Sequence, residues 1–213
     1  MLICEDLSDG KERIPLRVVN NYDGKLFPKF EYITTSVYRD PIMPISSVIH
    51  GPSSSNDNAD NAIAGQFRFE VYCKATDFWG VRALEEIPRG QLVGEYVGNI
   101  SRTQLQTEHD NYIFSFTDKN GVNWDVDAHK MGNFTRFMNH SCDQNVDSNV
   151  TEDTFPPRIL FYSNRRIRIN EELTIDYGHE WWTAKEDLKC IWLLSRQLEA
   201  SVTLSNCSIT LTV

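Results

Sequence analysis

Residues 112–126 read YIFSFTDKNGVNWDV, and this stretch decides the fold class. Two runs rich in aromatic and β-branched residues flank a polar segment, and its Asn120–Gly121 pair supplies the positive φ that tight hairpins demand. The same pattern continues on both sides. QFRFEVYCK (66–74) alternates strictly, with Phe67, Phe69, Val71 and Cys73 on one face and Arg68, Glu70, Tyr72 and Lys74 on the other, as a half-buried strand does. WGVRALEEIPRGQLVGEYVG (79–98) reads as short strands broken at the turn PRG. RILFYS (158–163), IRI (167–169) and LTIDY (173–177) are further short strands, with the turn NEE before the last. Many short strands with little helical periodicity predict a mostly β domain.

The 213 residues carry a formal net charge of −9. No basic stripe is present to neutralise phosphates, which argues against direct readout of nucleic acid. An acidic surface suits a cationic partner such as a basic peptide, and equally keeps a protein soluble. No apolar run approaches the ~20 residues that span a membrane, and no signal peptide opens the chain. Five cysteines without a CxxC pair (Cys4, Cys73, Cys142, Cys190 and Cys207) read as reduced thiols.

Composition divides the chain. Residues 1–32 mix turn signals with short apolar runs, and 33–66, centred on GPSSSNDNADN, read as a flexible linker. Order resumes over 67–182. In 183–213, Ile191, Leu194 and Leu198 share a helical face before an uncharged, strand-favouring end, SVTLSNCSITLTV.

NHSCDQN (139–145) carries the chemistry. Asn and His beside a cysteine suit a metal site or a nucleophile, and a cysteine protease would use Cys142 with His140 as base. Two residues apart on one loop is poor geometry for such a pair. The segment instead joins an ordered series: WGVRAL, GEYVG, YIFSF, RFMNHSCDQN and EELTIDYG. In this order and at these intervals the pieces resemble the SET-domain histone-lysine N-methyltransferases, specifically the suppressor-of-variegation-like branch acting on histone H3 lysine-9. The resemblance runs from about Phe67 to Trp182, and the first 24 residues look like the start of that branch's pre-SET segment.

The resemblance implies a SET β-fold: small sheets around a C-terminal pseudoknot, with few short helices, one near Gln104–Asp110. It implies S-adenosylmethionine as cofactor, the histone H3 tail or nucleosome as partner, and a place in the nucleus on the chromosome. The cluster RRIR (165–168) is a candidate nuclear signal. Tyr177 is the implied catalytic tyrosine, with Tyr112 beside the reacting amine. Trp79, Gly80, Tyr112, Arg136, Asn139, His140, Tyr177 and Trp181 are implied at the cofactor, Arg136 as support for its loop. Phe114, Ile175 and Trp181 are implied to line the lysine channel. Such an inventory suits an in-line methyl transfer, in which positioning and desolvation do most of the work. Phe116 and Trp124 read instead as β-core aromatics.

The sequence departs from the family pattern at four places. Phe78 stands where the cofactor loop has its first glycine, at a cost if that backbone needs positive φ. Ser115 replaces an acidic residue after the channel Phe, with Glu108 and Asp110 as substitutes. No cysteine lies between Cys4 and Cys73, so the pre-SET zinc cluster has no ligands. Cys142 and Cys190 remain as post-SET zinc ligands, but Trp192 occupies the next ligand position and Cys207 is distant, which leaves the site incomplete. Phe78 and the missing cysteines favour the competing reading, a catalytically weak SET module that binds chromatin proteins.

Overall fold

The computed structural model describes residues 1–38, 67–102, 110–151, 154–178 and Trp181. Its first sheet has four strands in the order β1 (Leu2–Cys4), β2 (Arg17–Val19), β5 (Phe69–Ala75) and β6 (Phe78–Ala83). The chain's opening segment is therefore built into the sheet that carries the Phe78–Gly80 loop. A second sheet orders β4 (Val37–Tyr38), β8 (Asn99–Ser101), β10 (Asn123–Asp127) and β9 (Ile113–Thr117), and a third orders β13 (Val146–Val150), β14 (Ile159–Ser163) and β7 (Leu92–Tyr96). Two parallel pairs complete the set: β3 (Glu31–Tyr32) with β11 (Met131–Gly132), and β12 (Asn139–His140) with β15 (Thr174–Ile175).

The opening hairpin forms as expected, in register Thr117↔Asn123 through Asp127↔Ile113. Gly121 takes φ +78° in its turn. The Asp118 carboxylate accepts the Asn120 and Val122 backbone N–H groups and the Trp124 indole N–H, so one side chain pins both turn and strand. Gly98, between β7 and β8, is fixed by a close approach: a Cβ there would lie 2.3 Å from the Asp127 carbonyl oxygen.

The core draws on all three larger sheets. Val71, Val81, Ile87, Phe161, Ile167 and Leu173 are fully buried, and Phe69 stacks on Phe134 with centroids 4.9 Å apart. Glu70, assigned by alternation to the polar face of its strand, is also buried. Its carboxylate is paired with the Arg82 guanidinium on the neighbouring strand, which offsets the desolvation.

Two boundaries differ from the sequence reading. Residues 37 and 38 fall in the expected linker but pair with β8, and Tyr38 is buried against Trp124 and Phe155. Serine and proline content masked this short aromatic anchor; residues 39–66 lie outside the described residues. Apart from Trp181, which is α-helical, the described helical content consists of 3-10 turns at Asp110–Tyr112 and Phe134–Phe137. Residues 103–109, where a helix was expected, and the tail from 182 onward also lie outside them.

The pairing of β12 with β15 is the knot-like element. Asn139 lies opposite Thr174 and His140 opposite Ile175, and the Ser141 N–H donates to the Ile175 carbonyl at 3.0 Å. Asn145 locks the crossing: its Nδ2 donates to the Glu172 carbonyl, and its Oδ1 accepts the Thr174 N–H. NHSC and DYG are thus held side by side by backbone.

Candidate active site

Tyr177 lies two residues beyond the end of β15, and its hydroxyl donates to the Met138 carbonyl at 2.9 Å. With its proton committed to that carbonyl, the phenol oxygen keeps its lone pairs for another donor. Burial, reinforced by Tyr112 and Glu172, pushes the hydroxyl above the ordinary tyrosine range, so it is a neutral phenol near neutral pH. Tyr177 lies beside a cavity of about 40 Å³ lined also by Tyr96, Asn111, Ile113, Arg136, Met138, Ile175 and Trp181. The Trp181 ring meets Tyr177 edge-on at 4.9 Å. A small cavity walled by aromatics and backed by a phenol oxygen fits a slender amine-bearing chain.

A polar mouth forms where β6, β12 and the Glu172 turn meet. Asn139 Nδ2 donates to the Trp79 carbonyl at 2.9 Å and to Glu172 Oε1 at 2.8 Å. Both amide hydrogens are thereby used, leaving Asn139 Oδ1 as an acceptor. The Lys74 ammonium sits 2.6 and 2.8 Å from the two Glu172 oxygens. A Cβ on Gly80 would lie 2.9 Å from Glu172 Oε1 and 3.2 Å from Asn139 Nδ2, so glycine lets both side chains close on the strand. This set of acceptors suits an ammonium group, as the Lys74 contact with Glu172 shows.

His140 links the two regions. Its Nδ1 accepts the Tyr177 backbone N–H at 3.2 Å, and its Nε2 lies 3.2 Å from Cys142 Sγ. Burial lowers its pKa, opposed by the Asp176 carboxylate. The neutral ring with its proton on Nε2 satisfies both contacts. The His140 side chain thus supports the tyrosine loop. Among the described residues no three His, Cys, Asp or Glu groups converge to hold a metal. Cys190, His179, Glu108 and Trp182 lie outside the described residues.

Several expected residues sit differently from the sequence reading. The Trp79 indole is core, packed edge-on to Phe27 at 4.8 Å, and it serves the polar mouth through its carbonyl. Phe114 is not on the cavity wall; its ring packs with Tyr96 and Phe161. Strand alternation explains this, since Ile113 takes the wall position next to it. Tyr112 stands behind the wall, its ring 4.0 Å from the Arg136 guanidinium and its carbonyl accepting the Tyr96 hydroxyl at 2.8 Å. Tyr96, Asn111, Ile113 and Met138 were missed, although Tyr96 lies in GEYVG and Met138 directly precedes Asn139. Phe116 and Trp124 pair across β9 and β10, and Trp124 is buried as expected.

Two departures from the family pattern find structural answers. Phe78 opens β6 with ordinary backbone, and the positive φ of that turn falls on Asp77, at +58°. Ser115 donates to Asp125 Oδ1 at 2.6 Å, so a carboxylate from the adjacent strand stands beside it.

The SET-domain family profile matches residues 78–178, which include Gly80, Asn139, His140, Glu172 and Tyr177. The chain is a SET-domain protein. It is 33% identical over 185 residues to the mouse histone-lysine N-methyltransferase EHMT1, and 28% identical over 225 residues to the Arabidopsis thaliana enzyme SUVH5, described as H3 lysine-9 specific. These alignments cover 83% and 82% of this SET-domain chain but 14% and 28% of the relatives, so it spans a minor part of their length. The solved structure of KRYPTONITE in complex with mCHH DNA, H3(1-15) peptide and SAH matches it with TM-score 0.65 at 26% identity, covering 84% of this chain and 48% of that one. Its mostly β architecture is thus the SET fold.

Proposed function

We propose that this chain is an S-adenosylmethionine-dependent protein-lysine methyltransferase acting on the histone H3 tail, with lysine-9 as the target. One observation carries this reading: the Tyr177 hydroxyl, tied to Met138, backs a small aromatic-walled cavity next to the Asn139–Glu172 mouth. The similarity to SUVH5 supports the choice of lysine, and the SAH and H3 peptide held by KRYPTONITE support the cofactor and partner classes.

The cofactor supplies a sulfonium methyl group, which an amine lone pair attacks in line. The protein's part is to place and orient that amine. The Tyr177 oxygen accepts an N–H of the amine and so aims its lone pair, while Ile175, Ile113 and Trp181 exclude water from the reacting end. Asn139 Oδ1 would accept from the cofactor's ammonium group, with the Glu172 carboxylate fixing the Asn139 amide, and Gly80 keeps the strand within reach. The −9 charge draws in a basic tail, and the site of action is the nucleosome, on the chromosome in the nucleus. Direct readout of nucleic acid is no part of this reading; among the described residues no helix is long and apolar enough to cross a membrane.

Recombinant histone H3 incubated with the chain and methyl-labelled cofactor tests the reading. Label on H3 that disappears when lysine-9 is replaced by alanine is the expected result. Label that survives the replacement would move the target, and no label on any histone would overturn the enzymatic reading.

A further inference from the structure

Amine methylation needs a free lone pair on nitrogen, yet a lysine side chain carries its proton until about pH 10.4 in water. The described cavity wall offers nothing to remove that proton. It has no carboxylate and no imidazole, and Tyr177 is a neutral phenol whose own hydrogen is given to Met138. The wall has one formal charge, and it is positive. Arg136, on the Phe134–Phe137 turn, is 7% exposed and lines the same cavity as Tyr177.

Among the described residues no carboxylate is in contact with the Arg136 guanidinium, although Asp127 acts on it from farther off. Nε donates to the Ala128 carbonyl at 2.8 Å and Nη2 to the His129 carbonyl at 3.1 Å, while Nη1 is buried with no hydrogen-bond partner. Aromatic faces do the rest: Tyr112 at 4.0 Å, Phe30 at 4.4 Å and Phe137 at 4.9 Å from the guanidinium carbon. Among the described residues it makes no ion pair. The titratable groups around it are Tyr112 ahead of β9, Tyr96 on β7 and Asp127 at the end of β10, with the His129 ring against Tyr112. Burial depresses its pKa, but a guanidinium remains charged across the physiological range. An unpaired buried cation is costly to keep, and a purely structural contact with two carbonyls does not need one.

We propose that Arg136 selects the neutral form of the target lysine, its unpaired guanidinium disfavouring an ammonium in the channel and favouring the free amine. The inference rests on the methyltransferase reading above. A like charge on the cavity wall disfavours protonation, and the released proton goes to solvent before the nitrogen lone pair forms its bond to carbon. The sulfonium C–S bond then breaks with its electron pair going to sulfur. No protein base is required.

Two measurements test this. The first is the pH dependence of kcat for the wild type, Arg136→Lys and Arg136→Met. Loss of the charge should move the acid limb to higher pH by about one unit, and lysine should hold it in place. A uniform loss of rate with an unmoved limb would overturn the proposal, because that is what a structural role gives. The second needs no turnover. In the presence of SAH, the wild type should bind an H3 tail peptide with norleucine at position 9 about tenfold more tightly than the lysine peptide near neutral pH, the gap closing as pH rises toward 10. Equal binding of the two peptides by the wild type at neutral pH would overturn the proposal even if Arg136→Met does not fold. Norleucine preference without methyl transfer would instead count against the enzymatic reading and leave the electrostatic one standing.

Discussion

Glu172 offers a graded test of the cofactor mouth. Its Oε1 accepts from Asn139 Nδ2 at 2.8 Å, and the same carboxylate holds Lys74 at 2.6 Å. Two substitutions separate these contacts. Glu172→Gln keeps an amide oxygen for Asn139 and loses only the charge. The Lys74 and Glu172 side chains are 28% and 21% exposed, so solvent screens the pair and about 0.5–1 kcal/mol is at stake. Glu172→Met removes the acceptor altogether. Asn139 is 8% exposed, and an amide N–H left without a partner at that burial costs about 1–3 kcal/mol. The Asn139 amide is then free to turn, and Oδ1 no longer faces the incoming ammonium group. At 1.4 kcal/mol per decade, calorimetric titration with SAH should show Kd rising about 2- to 5-fold for Gln and about 5- to 150-fold for Met. Thermal melting run in parallel identifies any unfolded fraction. If Glu172→Met folds and binds SAH as the wild type does, the reasoning about Asn139 is refuted.

Ile175 is 5% exposed on the cavity wall and carries no hydroxyl to hold a water against the amine, so mass spectrometry should show more than one methyl group added per lysine. Ile175→Tyr should confine product to the monomethyl form; a monomethyl-only wild type would contradict the assignment. His140 has its pKa lowered by burial, so the unfolded chain takes up a proton that the folded chain resists. Its contribution to stability is therefore full above the unfolded pKa of about 6.5 and is lost as pH falls below it. Urea denaturation from pH 7.5 to 5.0 should show that decline, and His140→Gln should flatten it; equal slopes would show that His140 is not its source.

Local chemistry made much of this protein legible. The Asn120–Gly121 hairpin formed in register because turn geometry and strand alternation agree there. Tyr177, Asn139 and Gly80 were singled out because ordered motifs mark them. What stayed hidden depends on contacts between distant segments. Glu70 alternates onto a polar face yet is buried by its pairing with Arg82, and Tyr38 anchors a segment whose composition suggests a linker. Ile113 lines the described cavity beside Phe114, the aromatic that the motif suggested, and nothing in the local pattern marked it. Arg136 was read as loop support; only its burial and its unpartnered Nη1 set it apart.

The account centres on the Tyr177 hydroxyl, and its removal is the most direct test. Tyr177→Phe deletes one oxygen and one hydrogen bond, to the Met138 carbonyl, at a stability cost of about 1 kcal/mol. Single-turnover methyl transfer to an H3 tail peptide, with cofactor and peptide both saturating, isolates the chemical step. A folded Tyr177→Phe protein that still binds SAH should transfer methyl at least about 30-fold more slowly than the wild type, the scale of ~2–4 kcal/mol for one well-placed polar group in a transition state. Transfer at the wild-type rate by that variant would contradict the account.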